Sequence, residues 1–266
     1  MIHPTAVIQP GAELDPSVEV GPYAVIDAGV SIDAGCRVAP HVYLTGQTTI
    51  GRNNEFHAGC VIGNASQDLK YKGEPTRLRI GDHNVFREHV TVNRSSDLEE
   101  DTVLGSNNLL MAGSHVGHNS RLGNYVRLAN GAMLGGHVIV DDYAIISGNC
   151  MCHQFVRIGT LAMMQGGSGV SMDLPPYTMA VGNNAICGLN VIGLRRAGLD
   201  DEQRLELKRL YRFLFRGQLP LRAAIESARS QFHGAAARVM LEFLVESQRG
   251  VCADIARKHR NPSQED

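Results

Sequence analysis

With 266 residues, 43% of them hydrophobic, and a formal net charge of -2, the chain is long enough to bury a large core and has no overall charge bias toward nucleic acid. No apolar run is long enough to cross a bilayer, and residues 1–11 lack the basic and apolar regions of a secretory signal, so a cytoplasmic protein with no stable membrane insertion is expected. Gly is abundant at 29 residues, and six cysteines are scattered without a CxxC pair, which predicts many tight turns, buried thiols, no metal site and no disulfide framework.

From Ile2 every sixth residue is apolar: Ile8, Leu14, Val20, Ile26, Ile32, Val38, Leu44, Ile50, Phe56 and Ile62. Carried to Val170, the same register samples 29 positions, of which 27 are apolar, where composition alone gives about 12 or 13. A period of six fits neither an α-helix nor a free amphipathic strand, but it fits a chain that turns a corner every six residues. Short strands joined by Gly-, Asn- and Asp-rich corners, as at 51–54, 81–84 and 123–125, make a triangular coil of 18 residues. Coils stacked as parallel strands about 4.8 Å apart would bury the beat residues along the axis.

The beat fails only at Asp68 and Glu74, adjacent beats within Asn64 to Arg79, and it resumes in phase at Ile80. A loop insertion over 64–79 is predicted, with a second excursion over Arg94 to Thr102, where Leu98 alone stays on the beat. After residues 173–176 the beat stops, and from about Asn190 the pattern turns helical. Asp200 and Gln203 form a capping-box pair, and Leu205, Leu210, Phe213 and Leu214 make a stripe ending at Gly217. Two more helices are expected over about 220–232 and 235–247, all of them capping the open end of the coil stack. Two domains follow, 1–187 and 188–266. The first carries 11 Lys+Arg against 17 Asp+Glu and the second 14 against 10, so the body is at -6 and the tail at +4.

Residues 18 apart lie above one another in such a stack. His118, Gly136 and Gln154 therefore form one column, with Asn119, His137 and Phe155 beside it, His115 just before the Val116 beat and His153 after the Cys152 beat. A thioester is already activated, so acyl transfer from one needs only a general base and a backbone N–H for the developing oxyanion, with no cofactor. Histidine suits the first task near neutral pH, and glycine allows close backbone approach for the second.

Gln67 to Tyr71, residues 73–76, Leu109 to Met111, His115 to His118, Gly135 to His137, His153 to Phe155, 173–177, Gly182-Asn183, Gly188 to Asn190 and Gly193 to Arg196 together resemble the UDP-N-acetylglucosamine 3-O-acyltransferases of the hexapeptide-repeat family. The resemblance implies a mainly β fold, a left-handed parallel β-helix followed by a C-terminal α-helical domain, assembled as a homotrimer. It implies transfer of a 3-hydroxyacyl chain from acyl carrier protein to the 3-position of a UDP-sugar, at the start of lipid A synthesis. By motif, His118 would be the general base and the Gly136 N–H the oxyanion donor. Asp68, Lys70, His115, His137 and Gln154 would hold the sugar and its diphosphate, and His153 would line the cleft. Asn190, Arg195 and Arg196 would grip the nucleotide, a paired arginine suiting a diphosphate. Gly166 would be the floor of the acyl pocket, and the basic tail a surface for the acidic carrier protein.

Four positions depart from the family pattern: Asn119 where Asp is frequent, Asn184 and Asn93 where His is expected, and Ile192 where an acidic residue is expected. They leave the acceptor atom open between a 3-hydroxyl and a 3-amino group. The nearest rival, the LpxD-type N-acyltransferase of the same pathway, carries an extra N-terminal uridine-binding domain, whereas here the beat begins at Ile2. A γ-type carbonic anhydrase would use solenoid histidines for metal but needs neither the 64–79 loop nor the basic tail.

Overall fold

The computed structural model describes residues 1–258, and in it the six-residue beat becomes a three-sided prism. Its first face is a parallel sheet of nine strands running from Val7–Ile8 through Thr91–Asn93, His115–Val116, Met133–Leu134 and Met151–Cys152 to Gly169–Val170. The second face has eight strands, from Glu13–Leu14 to Arg157–Ile158, and the third has eleven. Most strands are two residues long, so each hexad gives one strand and one corner. The second residue of each strand points inward, and Ile26, Leu44, Ile62, Val92, Val116 and Leu134 are all at 0% exposure. Two positions earlier stands a small or short residue, such as Ala24, Cys36, Cys60, Ala132 or Ala144, that fits the narrow corner.

At nearly every corner one residue lies in the left-handed region, at φ of +49 to +68° where it is not glycine. Composition predicts Gly, Asn and Asp there, but Tyr125, Tyr143, His137, Phe155 and Leu161 also occupy these positions. The four aromatic rings stack from coil to coil, Tyr125 on Tyr143 at 4.8 Å and His137 on Phe155 at 4.5 Å, and this contact offsets the backbone cost at those four positions. The residue just before the left-handed one, the second of the corner, has an N–H with no backbone partner, which explains why Pro10, Pro22 and Pro40 are accepted there, while Arg52, Asp82, Ser106 and Asn124 give theirs to a side chain of the next coil.

Register explains the broken beats. Arg77 pairs with Gln47, 30 residues away, so 12 residues have been added to an 18-residue coil (77 − 47 = 18 + 12). Leu78 pairs with Thr102, 24 away, so 6 more have been added there (102 − 78 = 18 + 6). Asp68 and Glu74 are the two beats of the first insertion, and Leu98 is the beat of the second. Leu98 is 50% exposed, so its place on the beat does not make it a core residue. Off-strand residues are 65–76 and 94–101, and both segments leave the prism at the corner between the first and second faces.

At the far end the third face continues through Thr178–Val181, then turns antiparallel into Ala185–Leu189, whose outer edge is covered by Ala253–Asp254 returning from the tail. Between them lie α1 (Val191–Arg196), α2 (Asp201–Tyr211), a π-helical turn (Arg212–Arg216), α3 (Leu221–Arg229) and α4 (Ala235–Val245), before α5 (Ile255–Lys258). The capping box at α2 forms as predicted, with Asp200 accepting from the Gln203 N–H and Gln203 accepting from the Asp200 N–H. The apolar stripe differs: Leu205 is exposed, and Leu207 and Tyr211 are buried with Leu210 and Leu214, because 207, 210, 211 and 214 share one helix face at i, i+3, i+4 and i+7 and Leu205 lies off it. Fully buried Asp254 accepts from the Tyr211 hydroxyl and from Arg216 Nε, which ties the returning strand to the helices.

Candidate active site

His118 sits at the corner between the first and second faces, directly below the two insertions, and its side chain is 9% exposed. The backbone turns on Asn119 (φ +58°), whose N–H donates to Thr102 Oγ1 at 2.8 Å. His118 Nδ1 lies 2.9 Å from Asn119 Oδ1. An amide oxygen can only accept, so Nδ1 carries the proton and Nε2 keeps a free lone pair. One coil on, Gly136 lies against the imidazole, and a Cβ there would fall well inside van der Waals contact of Nε2. The Gly135 and His137 N–H groups donate to Cys152 and His118 carbonyls, whereas that of Gly136 has no acceptor among the described residues. A base with a free lone pair and an unspent backbone donor thus face the same space, a cavity of about 320 Å³ that Gln67, Asn93, His115 and Met151 also line.

The neighbouring histidines are held neutral. Burial, reinforced by the charge His118 would carry, lowers the pKa of His115, whose Nδ1 is 2.7 Å from Thr91 Oγ1. The pKa of His137 is lowered chiefly by burial and by His118, against the opposing pull of Glu100, Asp97 and Asp68. Its ring meets that of His118 edge-on at 5.2 Å. Gln154, one coil further, is exposed, as is His153, whose Nδ1 is 3.5 Å from Arg249 Nη2. Asp68 turns the longer insertion by accepting from the Lys70 N–H at 2.9 Å, leaving the Lys70 side chain exposed. Asn93 holds that insertion to the corner by donating to the Ala65 carbonyl at 2.6 Å.

Four of the sequence-selected residues lie elsewhere. Gly166 is at the corner between the third and first faces, where a Cβ would meet only the Gly148 carbonyl at 3.6 Å, so the space beside it is open. Asn190 is buried, capping α1 by accepting from the Gly193 N–H and donating to the Leu161 carbonyl at the remaining corner. Its amide is turned into the fold, and only Arg195 and Arg196 of that group reach solvent. Asn184 accepts from the Ser171 and Met172 N–H groups and turns the chain at φ +49°. Sequence reasoning missed Ser96 and Asp97, which meet Asn119, because a broken beat marks an insertion without saying what it touches.

A family model for UDP-N-acetylglucosamine O-acyltransferase, domain 2, matches residues 173–252, and one for bacterial transferase hexapeptide repeats matches 101–136. The acyl-[acyl-carrier-protein]--UDP-N-acetylglucosamine O-acyltransferase of Thermodesulfovibrio yellowstonii is 44% identical over 254 residues, 94% of this chain and 98% of that protein. The chain belongs to the UDP-N-acetylglucosamine O-acyltransferase family. The enzyme of that name from Gloeothece citriformis is 44% identical over 77% of this chain and 75% of its own. Among solved structures, the UDP-N-acetylglucosamine acyltransferase of Francisella novicida superposes with a TM-score of 0.91 at 34% identity, covering 96% of this chain and 95% of its own. The Acinetobacter baumannii enzyme does so at 0.91 and 37%, covering 94% and 98%. This acyltransferase has the left-handed parallel β-helix and helical C-terminal region of its family, and its reaction is the acyl transfer that opens lipid A biosynthesis.

Proposed function

We propose that this acyltransferase moves a 3-hydroxyacyl chain from acyl carrier protein to the 3-hydroxyl of UDP-N-acetylglucosamine with His118 as general base and the Gly136 N–H as oxyanion donor. The observation that carries this is the free Nε2 of His118 set against the unspent N–H of Gly136 on one wall of one cavity. His118 Nε2 takes the hydroxyl proton as the oxygen attacks the thioester carbonyl, the Gly136 N–H meets the negative oxygen, and the C–S bond breaks with the proton returned to the departing thiolate. Neutral His115 and His137 then serve as hydrogen-bonding groups for the sugar without adding positive charge that would weaken His118 as a base. Asp68, Lys70, Gln154 and His153 stand around the same corner and suit the sugar and its diphosphate.

A homotrimer fits the distribution of the remaining residues. Gly166 and the Arg195–Arg196 pair belong to the other two corners of the prism, so only clefts between protomers bring an acyl floor and a nucleotide grip to His118. Residues 1–187 act in this scheme as the acyltransferase domain and 188–266 as the helical domain. The latter carries Arg195, Arg204, Lys208, Arg212 and Arg216 around a groove of about 500 Å³, a basic surface suited to an acidic carrier protein. Among the described residues no helix is long and apolar enough to cross a membrane. A carrier-protein donor suits a cytoplasmic reaction.

The test is mass spectrometry of products from UDP-N-acetylglucosamine and 3-hydroxyacyl carrier proteins of several chain lengths. His118→Ala is expected to slow ester formation by about 10² to 10⁴-fold, and an undiminished variant would remove the base assignment.

A further inference from the structure

We propose that Asp97, in the shorter insertion, is a positioning residue for the general base, acting through the side-chain amide of Asn119. The inference rests on His118 as the base. Asn119 Oδ1 accepts from the Ser96 N–H and hydroxyl, each at 2.9 Å, besides its 2.9 Å contact with His118 Nδ1. Asn119 Nδ2 donates to Asp97 Oδ2 at 3.0 Å. A backbone N–H can only donate and a carboxylate can only accept, so the two ends together leave the amide one orientation. That orientation presents an oxygen to His118 and so determines which imidazole nitrogen is free. The other Asp97 oxygen accepts from the Glu99 and Glu100 N–H groups at 3.1 and 2.9 Å, which holds the carboxylate in place.

In the His-Asp arrangement a carboxylate touches the imidazole directly and stabilises the imidazolium. Here the touching residue, 3% exposed, is an amide at a left-handed corner, a conformation asparagine tolerates well. The negative charge has moved one hydrogen bond outward, to Asp97, and the amide dipole between them points its oxygen at the ring. Asp97 accepts no proton: Nδ1 keeps its own throughout, and the proton taken by Nε2 from the acceptor hydroxyl goes to the leaving thiolate. Other charged or titratable groups around the base are His137, edge-on at 5.2 Å and itself 3.9 Å from Glu100, His115 on the preceding strand, and Asp68 in the longer insertion. A test must therefore single out Asp97.

An exchange of the two side chains does so. Asp97→Asn keeps an oxygen for the Glu99 and Glu100 N–H groups but turns the other end into a donor facing a donor. It is expected to lower kcat roughly tenfold, to leave both KM values within about twofold, and to move the acidic limb of the kcat–pH profile to lower pH, because the imidazolium loses its anion. Asn119→Asp beside an intact Asp97 sets two carboxylates side by side and is slowed as well. The double variant D97N/N119D gives the imidazole a carboxylate and gives that carboxylate an amide donor, and its turnover is expected within about threefold of wild type. Equal melting temperatures establish that the variants are folded. Wild-type kcat and pH profile in Asp97→Asn would overturn the proposal, as would a double variant no faster than the slower single one. An active His118→Ala would overturn the base assignment and this proposal together, whereas an inactive His118→Ala with an unaffected Asp97→Asn would overturn this proposal alone.

Discussion

Two corners of the same prism stack polar residues in opposite ways. Between the second and third faces, Asn54, Asn84 and Asn108 form a ladder at 0 to 1% exposure. The Oδ1 atoms of these residues accept the N–H groups of Asn84, Asn108 and Val126 on successive coils, at 2.9, 2.9 and 2.7 Å. The Nδ2 atoms donate to the carbonyls of Gly81, Gly105 and Gly123. Between the first and second faces, His118 and Gly136 occupy an equally regular column, but Nε2 of one and the N–H of the other have no partner among the described residues. The backbone geometry is the same in both. What differs is that the ladder closes each polar group on the next coil, while at the His118 corner the longer insertion, through Gln67, helps to line a cavity over groups the coil leaves open.

Closing the open corner is the largest perturbation of that contrast. Gly136→Ala meets no backbone strain and collides only with the imidazole, so kcat is expected to fall about 10²-fold with the melting temperature nearly unchanged, as steady-state kinetics and calorimetry would read. Opening the closed corner has the converse effect. Asn84→Leu strands the Asn108 N–H and the Gly105 carbonyl, and urea denaturation is expected to give a loss of roughly 2–3 kcal/mol while kcat stays within about twofold. The smallest effect concerns pH. His115 and His137 have folded pKa values below their ordinary 6.5, so below that pH the unfolded chain binds more protons than the folded one. Urea midpoints are expected to decline as pH is lowered through about 6.5, and His115→Gln to flatten the decline; a midpoint independent of pH over about 7.5 to 5.5 would contradict the neutral histidines.

Much of this was legible in the residue order, since a hexad beat maps position number directly onto face, corner and height. The column of His118, Gly136 and Gln154 follows from spacing alone. Leu98 and Leu205 show the limit of periodicity: the first sits on a beat that a six-residue insertion has detached from the core, and the second lies off the helix face that Leu207, Leu210, Tyr211 and Leu214 bury. Asn190 shows another, because a residue matching a nucleotide grip proved to have its amide occupied in capping α1 and in holding the Leu161 carbonyl.

By itself, then, the sequence determined the prism, its register and the column in which His118 and Gly136 stand, because those depend on a local period that repeats along the chain. Only the tertiary structure decided what the insertions touch. That Asn93 pins 65–76 to the active corner, that Asn119 faces Ser96 and Asp97, and that residues 253–254 return to cover the last strand are contacts between segments with no common period. Such contacts depend on how loops fold back over a scaffold, and no spacing within the chain encodes that.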